Sequence, residues 1–328
     1  NYDNGQFNEG KVFAYFGSSA GPSASSDWTE EINEAGSYFG YSVSVAGDVN
    51  GDGYCDVIVG AYLNNTAHVY HGFPSGLSLT SDWTREGNQT DSEFGYNVST
   101  AGDVNGDGYS DVIIGAKLSD NGQTDEGRVF VYYGSSSGLS TTADWSEESN
   151  QAGANFGNSV STAGDVNGDG YADVIIGAYL FDNLHTNEGK AYVYHGSSAG
   201  LSSSSSWSTY GTQGGAKYGF SVSTAGDVNG DGYSDVIVGA PFYNNGQADE
   251  GKAFVFYGSA GGLFLSDWTT ESNQAGANLG YSVSTAGDVN GDGFSDLIIG
   301  EPNFDDLSIT DKGLVLVFHG SQFGLPGA

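Results

Sequence analysis

The sequence predicts an all-β chain built from tandem four-stranded antiparallel units, and three observations predict it. The string Gly-Asp-Val-Asn-Gly-Asp-Gly recurs, beginning at Gly47, Gly102, Gly164, Gly226 and Gly287, with intervals of 55, 62, 62 and 61 residues. The same four strand-like runs return in the same order around each copy. Glycine, serine and asparagine clusters punctuate the runs, which is strand-and-turn chemistry without helical periodicity.

The first run opens with Phe39-Gly40, Phe94-Gly95, Phe156-Gly157, Tyr218-Gly219 or Leu279-Gly280 and continues as an alternating Ser-Val-Ser segment. The second is apolar and β-branched: Val57-Ile58-Val59, Val112-Ile113-Ile114, Val174-Ile175-Ile176, Val236-Ile237-Val238 and Leu297-Ile298-Ile299. A third alternates small and aromatic residues, as in Val129-Phe130-Val131-Tyr132-Tyr133, and a fourth centres on Trp28, Trp83, Trp145, Trp207 or Trp268. Four strands in about 60 residues, repeated in tandem, fit the blades of a β-propeller. A blade cannot bury its own faces, so neighbours stack radially and the continuous apolar strands take doubly covered positions. One tryptophan per repeat reads as a blade-to-blade packing residue.

Both ends fall inside the repeat. Asn4 to Lys11 matches Asn121 to Arg128, the loop after a second strand, and Gly324-Leu325-Pro326 matches Gly138-Leu139-Ser140, just before a tryptophan strand. The expected organisation is one propeller domain over 1–328. Residues 1–37 form a partial blade, and repeats follow at about 38–92, 93–154, 155–216, 217–278 and 279–328, the last incomplete at its end. The full propeller is expected to have six or seven blades. With no methionine in the chain, it reads as a mature or internal part of a longer protein.

Composition narrows the function. Forty-one acidic residues against 8 lysine plus arginine give a formal charge of −33. Nucleic acid and direct insertion into a membrane are therefore not expected, and no stretch has the length of a transmembrane helix. Aromatic residues make up 13% of the chain, too many for a disordered acidic tail, so the carboxylates belong to a folded domain in which bound cations would offset them. Cys55, the single cysteine, shares its slot with Ser110, Ala172, Ser234 and Ser295 and reads as a small spacer.

The chemistry lies in the loop between strands one and two. Asp48, Asn50, Asp52, Tyr54 and Asp56 occupy loop positions 1, 3, 5, 7 and 9, with Gly51 and Gly53 between them. Calcium takes six to eight oxygen ligands. On a tightly curled loop the alternation points every second residue inward, so positions 1, 3, 5 and 9 offer side-chain oxygens and position 7 its main-chain carbonyl. Gly53 falls where the loop must turn sharply. The set recurs as Asp103, Asn105, Asp107, Tyr109 and Asp111; as Asp165, Asn167, Asp169, Tyr171 and Asp173; as Asp227, Asn229, Asp231, Tyr233 and Asp235; and as Asp288, Asn290, Asp292, Phe294 and Asp296. About five Ca²⁺ are expected, one per complete repeat, moving the charge from −33 to about −23. An EF-hand is excluded, because position 12 is Val59, Ile114, Ile176, Val238 or Ile299 where that motif needs a bidentate glutamate. A metal-free Asx turn would crowd three carboxylates in each loop without counter-charge.

With its Phe-Gly openings, Asp-x-Asn-x-Asp-Gly-x-x-Asp loops and Gly-Ala or Gly-Ala-Pro closes, the chain resembles the FG-GAP repeats of integrin α-chain propellers over essentially its whole length. The resemblance implies calcium on one face and ligand contacts on the other, made by loops joining strands two to three and four to one. Those candidate loops are residues 62–67, 117–127, 179–189, 241–251 and 301–312, the short first one leaving a notch. The departures are a calcium loop in all five complete repeats and a Gly-Ala-Pro proline only at Pro241, Pro302 following Gly-Glu instead. The near-identity of the repeats looks more like a bacterial surface or secreted protein than an animal integrin.

Other motifs fail on context. Gly17 to Gly21, Gly134 to Gly138 and Gly196 to Gly200 fit a nucleophile elbow, but each joins strand to strand. Gly246 to Lys252 imitates a phosphate loop, with Ala253 where serine or threonine is needed. His71, His195 and His319 share a strand-three position with Phe16, Tyr133 and Tyr257, which points to packing or surface roles. Asn64, Asn88 and Asn97 sit in glycosylation sequons. The expected function is a non-enzymatic, extracellular, calcium-binding scaffold for adhesion or protein-ligand recognition. The alternative is a lectin using Tyr179, Phe181, Phe242 and Tyr243, with a glycan as ligand. A non-catalytic module of a secreted polysaccharide-degrading enzyme ranks below both.

Overall fold

The computed structural model describes residues 3, 5–19, 21–306 and 308–327. A short antiparallel pair comes first, β1 (Val12–Ala14) with β2 (Trp28–Glu30). Then β3 (Ser42–Gly47), β4 (Asp56–Ala61) and β5 (Thr66–Tyr70) form a sheet. After a small ladder of β6 (Gly72–Phe73) and β7 (Gly76–Leu77), β8 (Trp83–Glu86) adds to the edge of β5.

The second sheet is β9 (Phe94–Gly102), β10 (Asp111–Ala116), β11 (Arg128–Tyr132) and β12 (Trp145–Glu148). The third is β13 (Phe156–Gly164), β14 (Asp173–Ala178), β15 (Lys190–Tyr194) and β16 (Trp207–Tyr210). The fourth is β17 (Ser221–Gly226), β18 (Asp235–Ala240), β19 (Lys252–Phe256) and β20 (Trp268–Glu271). Among the described residues the fifth has three strands, β21 (Ser282–Gly287), β22 (Asp296–Glu301) and β23 (Leu314–Phe318). Among the described residues every pairing between these strands is antiparallel and each sheet runs in chain order, so the all-β propeller reading holds. One local difference concerns residues 62–67: Tyr62–Asn64 make a 3₁₀ turn and Thr66 already opens β5.

The apolar core is a series of layers between sheets. Ile58 and Trp83 of the first sheet meet Phe94, Val112, Ile114 and Tyr132 of the second. Ile113, Val129 and Val131 of the second then meet Phe156, Val174, Ile176 and Tyr192 of the third. The β-branched second strands lie between two sheets, and Val112, Ile113 and Ile114 have no exposed surface. The first strands β3, β9, β13, β17 and β21 line a central channel of about 450 Å³. Their serine and asparagine side chains join blade to blade. Ser42 Oγ accepts the Val98 amide at 3.0 Å, Asn97 Oδ1 the Val160 amide at 2.9 Å, and Ser159 Oγ the Val222 amide at 3.0 Å. Asn97 is therefore committed to the channel wall.

The recurring glycines have a structural cause. Gly115 of the Gly-Ala close packs its Cα on Gly157, the glycine after Phe156 in the next blade, so closely that a Cβ would overlap the Gly157 carbonyl; Gly60 with Gly95, Gly177 with Gly219 and Gly239 with Gly280 repeat the contact. The tryptophans close the outer edge. Trp83 Nε1 donates to the Ser140 carbonyl at 2.9 Å and Trp145 Nε1 to that of Ser202 at 3.0 Å. Their rings stand edge-on to Tyr132 and Tyr194, at 5.0 and 4.9 Å.

A histidine replaces an aromatic residue in the first sheet. His68, opposite Val59, sits where the second, third and fourth sheets carry Phe130, Tyr192 and Phe254 and the fifth carries Leu316. Its ring nitrogens reach Thr66 Oγ1 at 3.0 Å and Thr84 Oγ1 at 3.1 Å. Burial holds its pKa down to about 4, against a weaker upward pull from Glu34. The unfolded chain takes up a proton below pH 6.5 that the folded chain refuses until about pH 4, so stability is complete above that window and falls through it. The loss is expected to be roughly 3 kcal/mol. Urea unfolding at pH 7 and pH 4.5 is expected to give a smaller acid loss for His68→Phe than for the parent; equal losses would exclude His68 as the cause.

Candidate metal centres

Each loop between the first two strands of a sheet is wound around its first aspartate. Asp48 Oδ1 accepts the amides of Gly51 and Asp52 at 2.7 and 3.0 Å, and Oδ2 that of Gly53 at 2.8 Å. Asn50 Oδ1 accepts the Asp52 amide at 2.9 Å, and Asp52 Oδ1 the Tyr54 amide at 3.0 Å. Gly53 has φ +88°, the positive value expected from its place after the third acidic or amide residue. The other loops repeat the pattern closely. In the last, Asp288 accepts the Gly291 and Gly293 amides at 2.7 and 2.8 Å and Asp292 that of Phe294 at 3.1 Å.

The position-nine aspartate fastens the loop to the sheet. Asp56, Asp111, Asp173, Asp235 and Asp296 have no exposed surface. Asp111 accepts the Val104 amide at 2.9 Å and, from the turn after strand three, the Gly134 amide at 2.9 Å. Burial pushes Asp111, Asp173 and Asp235 up to about 7; their two amide partners oppose this, and the loop aspartates at positions 5 and 1 add to it. Asp56 is also raised, mainly by burial. In Asp296 burial acts in the same direction, but the Gly320 and Val289 amides and His319 outweigh it, and its carboxyl lies below the ordinary value.

Among the described residues no group of three or more His, Cys, Asp or Glu side chains is gathered as a metal cluster by itself. The loops depend on mixed donors: an asparagine sits between the first two aspartates, and its Nδ2 donates to the next carboxylate, as Asn105 does to Asp107 at 3.0 Å. Oxygen donors of this kind suit a hard cation.

Two neighbours of the loops were not apparent from spacing. His195 Nδ1 lies 3.1 Å from Asn167 Nδ2, and His319 Nδ1 lies 3.2 Å from Asp296 Oδ2. The usable signal was register: the residue just past strand three, His195 after β15 and His319 after β23, precedes the glycine whose amide binds the position-nine aspartate.

The opposite ends of the first strands gather aromatic side chains around the channel mouth. Tyr41 packs against Tyr62 at 4.6 Å and Tyr96 at 5.2 Å, and Phe220 against Tyr281 at 4.8 Å. Lys117 Nζ stands 3.3 Å over the Tyr96 ring and pairs with Glu93 at 3.3 Å. Burial and the Tyr96 hydroxyl push the Tyr41 phenol up to about 12. Of the aromatics singled out in the variable loops, Phe181 and Tyr243 pack against the core. Tyr179 and Phe242 meet Phe220 at 5.5 and 6.4 Å. No helix among the described residues is long and apolar enough to cross a membrane.

Comparison with known proteins agrees with this architecture. The FG-GAP repeat model matches residues 39–71, 94–132, 156–194, 218–256 and 279–318. Integrin alpha-4 of Xenopus laevis is 36% identical over 218 residues, covering 64% of this chain and 20% of that protein. Integrin alpha-PS2 of Drosophila melanogaster is 30% identical over 259 residues, covering 71% of this chain and 18% of that protein. The chain thus spans about a fifth of the length of these relatives. A thermostable family-43 glycoside hydrolase superposes with a TM-score of 0.49 at 13% identity, over 90% of this chain and 96% of that one, a likeness too distant to bear on activity. Five matched repeats, each with its Phe-Gly or equivalent opening and its aspartate-wound loop, place the chain in the FG-GAP repeat family.

Proposed function

We propose that the chain is a calcium-stabilised recognition scaffold of an extracellular protein, without catalytic activity of its own. The observation that carries this reading is the fivefold recurrence of one oxygen-donor loop, already wound around its first aspartate by backbone amides. Asp48, Asn50, Asp52, Asp56 and the Tyr54 carbonyl would hold one Ca²⁺, and the corresponding residues of the other four loops one each. Bound there, the cation neutralises the carboxylates and fixes the loops against unfolding.

The surface for a protein partner is then the opposite end, with the aromatic mouth and the loops 117–127, 179–189 and 241–251. A longer parent chain, as in the integrin-named relatives, would carry it outside the cell. The inward turn of Phe181 and Tyr243 weakens the case for a repeated sugar-stacking surface. A surface coated with the chain is expected to retain cells in calcium and release them in excess chelator, while a glycan array stays blank. Glycan capture without cell attachment would replace this reading with the lectin one.

A further inference from the structure

Every loop but the last is closed by the loop of the following blade. The Tyr109 ring sits against Gly51, at position four of the preceding loop, so closely that a Cβ there would come within 2.5 Å of the ring carbon Cε1. Tyr171 covers Gly106 and Tyr233 covers Gly168 with the same 2.5 Å approach, and Phe294 covers Gly230.

The next residue along adds a hydrogen bond. The position-eight amides of Ser110, Ala172, Ser234 and Ser295 donate to the position-one carbonyls of Asp48, Asp103, Asp165 and Asp227, at 2.9–3.0 Å. The turn after strand three contributes another, with the amides of Ser135, Ser197, Ser259 and Ser321 on the carbonyls of Val49, Val104, Val166 and Val228 at 3.0–3.1 Å. Positions one, two and four of a loop are therefore fixed by the blade that follows it. The position-seven residue thus has two duties in different loops. Its carbonyl belongs to its own loop, while its ring belongs to the loop before.

We propose that each of the first four loops is completed as a cation site by the position-seven ring and position-eight amide of the next blade, so that cations are taken up as a coupled row and not at independent sites. The inference rests on the calcium reading of the loops. Ordering one loop fixes the ring and amide that hold its predecessor, which lowers the ordering cost of the next binding event. The coupling must run both ways, since a change in affinity between two sites is reciprocal. The recurrence of an aromatic ring at Tyr109, Tyr171, Tyr233 and Phe294 then follows from the glycine it covers. The Phe294 copy shows that the hydroxyl is dispensable.

Calcium titration calorimetry on the full 328-residue chain tests this, with circular dichroism confirming that each variant is folded. Tyr109→Ala is expected to weaken one site by roughly tenfold, and Tyr109→Phe to leave the isotherm of the parent. The assignment comes from two backgrounds. With the first loop disabled by Asp48→Ala and Asp52→Ala, Tyr109→Ala should change nothing further. With the second disabled by Asp103→Ala and Asp107→Ala, a remaining site should already bind more weakly than in the parent, and Tyr109→Ala should weaken it further. The reverse pattern, or no effect in any background, would overturn the coupling while leaving calcium binding intact. An absence of calcium binding by the parent chain would overturn the calcium reading, and this inference with it.

Discussion

Excess chelator is expected to lower the midpoint of thermal unfolding by roughly 15–20 °C. A ligand bound only by the folded state stabilises it by about 2.7 kcal/mol at a free concentration one hundred times its dissociation constant. Five such sites amount to more than ~10 kcal/mol, comparable to the whole stability of an ordinary domain. Spread over the unfolding entropy of a chain this long, that gives a shift of the stated size. Removal of the cations would also leave the buried aspartates Asp111, Asp173 and Asp235 beside the other loop carboxylates in a chain of net charge −33. A scan with calcium and one with chelator, followed by circular dichroism, checks it. Identical midpoints would remove calcium from the account of stability unless metal analysis found the ion still bound.

Gly115→Ala is expected to destabilise the chain by about 3 kcal/mol or more, a large loss for one methyl group. The new Cβ would overlap the carbonyl oxygen of Gly157. Both partners are backbone of neighbouring sheets, so no side chain can rotate away and the two blades must separate. Gly17 provides the comparison: its position has nothing within 4 Å and no positive φ, and Gly17→Ala should stay within about 0.5 kcal/mol of the parent. Urea unfolding of the two variants measures the difference. Similar midpoints would mean that the paired glycines do not set the blade spacing.

The blades were legible because their signals are local. Alternation in Ser-Val-Ser, the apolar run at Val112-Ile113-Ile114 and the turn residues between them each specify a strand within a few residues. The loop positions were legible for the same reason, since Asp48 to Asp56 span nine residues and Gly53 needs a positive φ within them. Contacts between blades were less so. Trp83 could be assigned to packing from its recurrence, but its hydrogen bond to Ser140 lies 57 residues away.

The sequence assigns position seven a role through its carbonyl alone, and spacing within one repeat carries no trace of the ring on the preceding loop. The channel mouth was missed differently. Tyr41, Tyr96, Phe220 and Tyr281 each follow the Phe-Gly signature or its equivalent, but Asn158 breaks the series, and only the closure of the strands around one axis brings the rings together. His195 and His319 were hidden by equivalence, since the same slot holds tyrosine in other blades and only the fold sets it beside the loops.

Native mass spectrometry of the chain purified in calcium and exchanged into metal-free ammonium acetate tests the central claim most directly. The account predicts a mass increase of about five calcium ions per chain, falling by about one when Asp165→Ala and Asp169→Ala disable a single loop. A chain that carries no calcium from micromolar solution, or whose bound count is unchanged when that loop is disabled, would contradict it.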